Sequence, residues 1–345
     1  LFFNLKLSKV RNLKLYLLIF ISLLGCKTED KTPAKAIIPS LLIFDASDIN
    51  YTSAVLNAEV INDGSSIVSE PGFYLSETNT FAVLIDIKRL NLNNKGKFSI
   101  SFDNLKINTK YFYKAVAYKP AAQGISGEFF SEIKYFTTKA LPKDAVLSST
   151  GRIWMDRNLG ATRVATSSTD EGAFGDLYQW GRPSDGHQLR TSATSFSLSS
   201  TDVPGNALFV IFGINSPDIY MDWRKPQNNN LWQGVNGINC PCPQGYRIPT
   251  TDEWLEEFKS WKGSYAYQDA FNSPLKLTMA GLRGYNTGNT GGSSSLGVYW
   301  TSTIERNYVF TAQFDRTAGN NSNPVQKYVQ GTIRSTGASV RCIKD

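Results

Sequence analysis

The stretch LKINTKYFYKAVA, residues 105–117, decides how the first third of the chain folds. Tyr111, Tyr113, Ala115 and Ala117 fall at every second position, and a strand sends every second side chain to the same face. Leu105 and Thr109 precede them, which puts a tyrosine at the entry to the strand. Ser53 to Val60 repeats the pattern: Ala54, Leu56, Ala58 and Val60 share one face while Ser53, Asn57 and Glu59 share the other, as a half-buried strand requires. The turn formers Asn62-Asp63-Gly64 close that segment, and Ile133-Lys134-Tyr135-Phe136-Thr137-Thr138 supplies a last strand. Short alternating segments punctuated by Asn, Asp, Gly and Ser, with no helical period, predict an all-β antiparallel sandwich over residues 38–139.

A tyrosine at the start of a late strand is the pattern of the tyrosine corner in immunoglobulin-like sandwiches. With Gly72-Phe73-Tyr74 before it and Phe136-Thr137-Thr138 after it, the segment resembles a fibronectin type III-like domain of bacterial surface proteins over about 100 residues. The resemblance implies a rigid spacer. Ligand capture on the loops is the competing role, and nothing in the segment has a catalytic setting.

Upstream, a basic stretch ending at Lys14 runs into the apolar LYLLIFISLL, residues 15–24, and then Gly25-Cys26, the order of a bacterial secretion signal over residues 1–25. Ten residues rise only about 15 Å as a helix, so cleavage is expected rather than a membrane span. Leu23-Leu24-Gly25-Cys26 resembles the lipobox of bacterial lipoproteins, which implies lipidation at Cys26. The alternative is a plain secretion signal with an incidental cysteine. Several acyl chains, at about 0.8 kcal/mol per buried CH₂, hold a protein firmly on a membrane. Residues 26–37 are polar and contain Pro33, a flexible tether. The lysine and acids of Lys27-Thr28-Glu29-Asp30 resemble the surface-export signal of Bacteroidetes lipoproteins, so an outer-membrane, cell-surface location is expected.

Lys6, Lys9, Arg11 and Lys14 belong to that leader, and without them the formal charge of +7 falls to +3. So small a charge gives no basic patch for phosphate-backbone binding, and nucleic acid is excluded as the expected partner. A single histidine, His187, excludes chemistry that needs two imidazoles.

Residues 140–147 form a linker, after which the composition changes: all seven tryptophans and three of the four cysteines lie in residues 148–345. Runs such as GLRGYNTGNTGGSSSLG, residues 281–297, leave little room for regular elements, so large aromatics must anchor irregular loops. One helix is legible. Thr250 and Glu253 fit a capping box, Trp254, Leu255, Phe258 and Trp261 form an apolar stripe, and Asp252, Glu256 and Lys259 face away. Glu253, Glu256 and Glu257 read as cap and solvated face in preference to acid/base carboxylates.

The motifs IWMDRNLGA (153–161), YQWGR (178–182), CPQGYRIPT (242–250), YWTST (299–303) and SVRC (339–342) occur in order. Through them residues 148–345 resemble a Fibrobacter succinogenes major paralogous domain, related to the C-type lectin-like fold of formylglycine-generating enzymes. The resemblance implies a loop-rich α+β domain whose termini meet, and a disulfide between Cys242 and Cys342 that closes a loop of about 100 residues. Cys240 is then odd: it competes for Cys342, stays free, crosslinks another chain or, with Cys242, contributes to a metal site. The last is the least favoured, and no metal or cofactor is expected.

The copper-dependent oxidase activity of the formylglycine-generating relatives uses a closely spaced cysteine pair shortly before the last conserved stretch. Gln326 to Arg334 contains no cysteine, which argues against it. No GxSxG, P-loop or GxGxxG pattern is present, and no carboxylate pair is marked out for glycoside hydrolysis. A non-catalytic binding protein is expected, with a structural role in the envelope as the alternative. In related lectin-like domains the ligand surface lies on the loops flanking the Tyr-Trp strand. Here those loops carry Arg283, Asn286, Glu305, Arg306, Asn307, Tyr308 and Arg316, and Tyr and Arg are favoured interface residues. An extracellular glycan or protein is the expected ligand, while Trp154 and Trp300 are assigned to the core.

Overall fold

The computed structural model describes residues 38–62, 69–90, 96–122, 125–213, 221–262, 266–306, 308–316 and 327–345. Residues 1–37, on which the expected leader, tether and lipidated Cys26 fall, lie outside them. Among the described residues no helix is long and apolar enough to cross a membrane. The chain divides into two compact units: the first holds residues through Asp48, Ala54–Phe102 and Lys110–Phe136, the second Thr137–Asp345 with Ile49–Ser53 and Asp103–Thr109.

The first unit is a β-sandwich. Its strands are β1 (Ser40–Ile43), β2 (Ala54–Asn62), β3 (Ser69–Ser76), β4 (Asp86–Arg89), β5 (Gly96–Phe102), β6 (Lys110–Ala122), β7 (Ile125–Phe130) and β8 (Lys134–Thr137). One sheet has the order β1-β2-β5, the other β4-β3-β6-β7 with β8 also on β6, a fibronectin type III-like arrangement. The alternation legible in β2 is realised, with Ala54, Leu56, Ala58 and Val60 all buried. In register with them on β5 stand Phe102, Ile100 and Phe98, also buried. From the opposite sheet Phe73 of β3 meets Phe98 with ring centroids 5.2 Å apart, and Tyr111 of β6 stacks on Phe136 of β8 at 5.6 Å. The Tyr113 hydroxyl donates to the Phe44 carbonyl at 2.8 Å, so the buried phenol is paired by backbone of the edge nearest β1.

The second unit begins with β9 (Ala145–Leu147) and β10 (Ile153–Met155), followed by the short strands β11 (Tyr178–Gln179), β12 (Thr194–Ser195), β13 (Phe209–Val210) and β14 (Tyr246–Arg247). Then come α1 (Thr251–Ser260), α2 (Ala266–Asn272), β15 (Leu282–Arg283) and β16 (Thr290–Gly291). The long hairpin strands β17 (Leu296–Glu305) and β18 (Tyr308–Asp315) precede β19 (Lys327–Thr332), β20 (Gly337–Ala338) and β21 (Ile343–Lys344). The two ends of the unit meet in one sheet, since Trp154 of β10 pairs with β9 on one side and with Ile343 of the last strand, β21, on the other. Cys242 and Cys342 form a disulfide with Cα atoms 5.8 Å apart, while the Cys240 thiol is free and half-buried. Burial pushes the Cys240 thiol pKa up, which makes it a poor thiolate.

The sheet β17-β18-β19 separates two cores. Tyr299, Ala312 and Phe314 face Trp154 and the helical side chains Trp254, Phe258 and Ala270. Val298, Trp300 and Val309 face Trp180, Trp223, Trp232 and Ile248. Both tryptophans assigned to the core, Trp154 and Trp300, are fully buried. The α1 capping box forms as expected, with Thr250 accepting from the Glu253 N–H at 3.2 Å and Glu253 accepting from the Thr250 N–H at 2.8 Å. Two residues of α1 depart from the expected faces. Leu255 is exposed at the rim, and Glu257 is fully buried, where it accepts from the Thr150 hydroxyl at 3.3 Å.

Candidate functional site

A cleft of about 400 Å³ opens where the turn after β15 faces the β17-β18-β19 sheet. Its position follows from local chemistry. Gly281 has φ +72 and an added Cβ would lie 2.3 Å from the Gly291 carbonyl oxygen, so only glycine brings β15 this close to its neighbour. Arg283 then anchors the turn from below: its guanidinium donates to the carbonyls of Gly288 at 2.6 Å, Leu189 at 3.2 Å and Ser192 at 2.5 Å, and packs over the Phe209 ring at 4.1 Å. Within the turn Gly284 N–H donates to the Asn289 carbonyl at 2.9 Å, and the Tyr285 carbonyl accepts from Phe212 N–H at 2.8 Å. Tyr285 and Asn286 are thereby presented to the cleft.

The opposite wall is the face of the sheet that carries Val298, Gln313, Gln330 and Thr332, closed by Ile333 and Thr336. Gln313 is held in place, because its side-chain N–H donates to the Thr311 hydroxyl at 2.8 Å and that hydroxyl meets the Thr332 hydroxyl at 2.8 Å. Tyr285, Asn286 and Gln330 make no side-chain hydrogen bond among the described residues. None of the eleven lining residues carries a charge. Such a surface suits noncovalent recognition by hydrogen bonds of both polarities.

The residues singled out in the sequence are not brought together. Arg283 is 3 % exposed and its donors are spent on backbone, so the expectation of a ligand contact there is corrected to an anchor under the cleft. Asn286 lines the cleft. Glu305, Arg306 and Tyr308 are exposed at the hairpin tip, where Glu305 pairs with Tyr308 and Arg306 adopts φ +49. Arg316 is exposed beyond the other end of the hairpin, where Leu296 pairs with Asp315. Eight strand residues, about 26 Å, separate the two ends. Asn307 lies outside the described residues. Tyr285, Gln313, Gln330 and Thr332 were missed. A signal existed for Gln313: Val309, Thr311 and Gln313 alternate on one face of β18, an inward face that turns polar at one end.

His187 is fully buried. Its Nε2 accepts from the Gln179 N–H at 2.9 Å, which places the proton on Nδ1, and Nδ1 donates to Asp185 at 2.6 Å. Asp185 also accepts from Arg182 at 2.8 Å, so its charge is already balanced. Burial, ahead of the Arg182 charge and against the pull of Asp185, lowers the histidine pKa to about 4. The imidazole is a neutral bridge with both nitrogens occupied. In a nucleophilic triad Nε2 would face a hydroxyl or thiol instead. Among the described residues no group of three or more His, Cys, Asp or Glu is placed to hold a metal ion.

No family model matches the chain, and no curated protein matches it. Among solved structures the chain is similar to the sensor domain of the anti-sigma factor RsgI4 in Pseudobacteroides cellulosolvens, at 19 % identity and TM-score 0.25, covering 30 % of this chain and 78 % of that one. It is also similar to the fibronectin type-III domain of human fibronectin type III domain containing protein 3, at 18 % identity and TM-score 0.23, covering 31 % of this chain and 88 % of that one.

Proposed function

We propose that the chain is a lipid-anchored, outer-membrane surface protein in which the sandwich spaces a C-type lectin-like domain that binds an extracellular ligand without catalysis. The observation that carries this reading is the uncharged cleft beside the long hairpin, on the part of the domain that the lectin-like resemblance associates with ligands. The meeting of β10 with β21 and the Cys242–Cys342 bridge support the lectin-like assignment. Binding is favoured over glycoside hydrolysis because no carboxylate lines the cleft, and that reaction needs two. A structural role in the envelope is the second reading, and the exposed hairpin tip at Glu305, Arg306 and Tyr308 favours it as a packing contact.

Two experiments test the proposal. Cys26→Ser should release the protein from the membrane fraction of cells that export it, and protease shaving of intact cells should remove the wild-type epitope. The full chain in detergent should bind saturably to a component of glycan and surface-protein arrays, and Asn286→Ala should weaken that binding while leaving the folded protein intact. Binding that responds only to Arg306→Ala with Tyr308→Ala moves the function to the hairpin tip, and an array without saturable binding favours the structural role.

A further inference from the structure

We infer that the cleft takes a neutral, hydroxyl-rich ligand, a segment of uncharged polysaccharide, held without calcium; this rests on the binding reading of the same cleft. The chemistry of the lining is the reason. Asn286, Gln313 and Gln330 supply three primary amides, and Tyr285, Thr332 and Thr336 supply three hydroxyls. Each amide offers donor and acceptor atoms side by side, and each hydroxyl does both with one atom. A sugar hydroxyl also donates and accepts, so neighbouring hydroxyls on a ring match a side-chain amide. Leu282 and Ile333, both partly exposed, line the same cleft and suit the C–H faces of a ring.

Charge narrows the class further. An anionic or cationic group placed in this cleft would leave water without a countercharge among the lining residues, a costly transfer. The two guanidiniums adjacent to lining residues in sequence are both buried: Arg283 donates to Gly288, Leu189 and Ser192, and Arg334 donates to the Asn228 carbonyl and pairs with Asp222. Calcium-mediated sugar binding needs carboxylate oxygens around the ion, and the lining contains none. The amides are also placed unequally for the task. Gln313 is fixed through Thr311 and Thr332, whereas the side-chain amides of Asn286 and Gln330 make no hydrogen bond among the described residues, and the two residues are partly or fully exposed. A held acceptor flanked by two uncommitted amides fits a ligand whose hydroxyls point in several directions. An extended peptide laid along β19 would use main-chain bonds at the strand edge and leave these amides without a role.

The test is affinity electrophoresis of the full chain in detergent through gels containing mannan, galactan, arabinan or soluble β-glucan, and in parallel polygalacturonate or dextran sulfate. At least one neutral polymer should retard the protein, equally in EDTA and in calcium and equally at low and high salt. Asn286→Asp with Gln330→Glu preserves shape while adding charge, and should weaken retardation roughly tenfold or more. Unchanged far-UV circular dichroism would show that the double variant is folded. Retardation by anionic polymers alone, loss of retardation in EDTA, or no retardation by any of the four neutral polymers overturns the ligand class. Capture of a surface protein or peptide that the double variant abolishes also overturns the ligand class but retains the cleft as the binding site. Retardation by a neutral polymer that the double variant leaves unchanged, and that Arg306→Ala abolishes, overturns both.

Discussion

Replacing His187 by glutamine gives a test of whether this imidazole is structural. Glutamine retains a donor and an acceptor and does not titrate. In the wild type the ring is neutral when folded, with its pKa pushed down to about 4, against about 6.5 in the unfolded chain. The unfolded state therefore binds a proton that the folded state refuses as pH falls from about 7 to about 4. Stability from this source is complete above the unfolded pKa and is lost on acidification, by about 3 kcal/mol across that window. The difference between wild type and His187→Gln cancels the carboxylates that do not touch residue 187, and Asp185, which does, keeps its Arg182 partner and a donor from the glutamine amide. Their unfolding free energies should converge by about that amount between pH 7 and pH 4. The assay is urea unfolding with the disulfide intact, followed by tryptophan fluorescence, and it reports the second unit because all seven tryptophans lie there. Parallel pH curves would refute the reasoning. So would curves that diverge on acidification, since these would mean an imidazolium paired with Asp185 in the folded state.

Three further outcomes follow from the packing. Reducing the Cys242–Cys342 bridge, which spans a sequence separation of 100, should lower stability of the second unit by up to about 5 kcal/mol in the chain-entropy model, read as a shift in the urea midpoint with dithiothreitol. Arg283→Met should destabilise by roughly 3 kcal/mol or more, because it strands the Gly288, Leu189 and Ser192 carbonyls in the interior; thermal unfolding should show that loss even where no ligand is present. Tyr113→Phe removes the bond to the Phe44 carbonyl and should cost the sandwich about 1 to 2 kcal/mol, measured by hydrogen exchange of β2 and β6 amides with the tryptophan signal unchanged.

The sandwich was legible because its information is local. Tyr111, Tyr113 and Ala115 sit on the buried face of β6 as their spacing requires, and the period of two survives any choice of partner strand. The α1 capping box was legible for the same reason, its two partners being three residues apart. The cleft was not legible. Asn286 and Gln313 stand 27 positions apart, and what brings them to one wall and its opposite is Arg283 fastened to Ser192 across 91 residues. No periodicity carries such a contact, and an arginine in a glycine-rich run reads as a solvated side chain. Glu257 was misplaced on the same ground: a glutamate beside Glu256 looks outward until Thr150, 107 residues away, supplies a hydrogen bond.

A shared device underlies the second unit. Its strands are short, many only two residues long, so much of its buried backbone has no ladder to pair with. The missing donors come from side chains. The indoles of Trp180, Trp223, Trp232 and Trp300 donate to the carbonyls of Thr301, Trp180, Asn239 and Tyr178 at 2.6 to 3.0 Å. Buried guanidiniums do the same: Arg182 to Leu208, Arg334 to Asn228, and Arg341 to Leu275, at 2.6 to 3.2 Å. Arginine suits this task because its five donors reach several carbonyls at once, and the charge that comes with them is met for Arg182 by Asp185 and for Arg334 by Asp222. Charge of both signs is internal here, since Arg182, Arg283, Arg334 and Arg341 lie almost wholly inside together with Asp170, Asp222 and Glu257. The same spending of donors on backbone explains why the cleft beside Arg283 is uncharged. What remains there is a wall of amides and hydroxyls, a surface whose capacity for contact lies in the number and direction of its hydrogen bonds and not in charge.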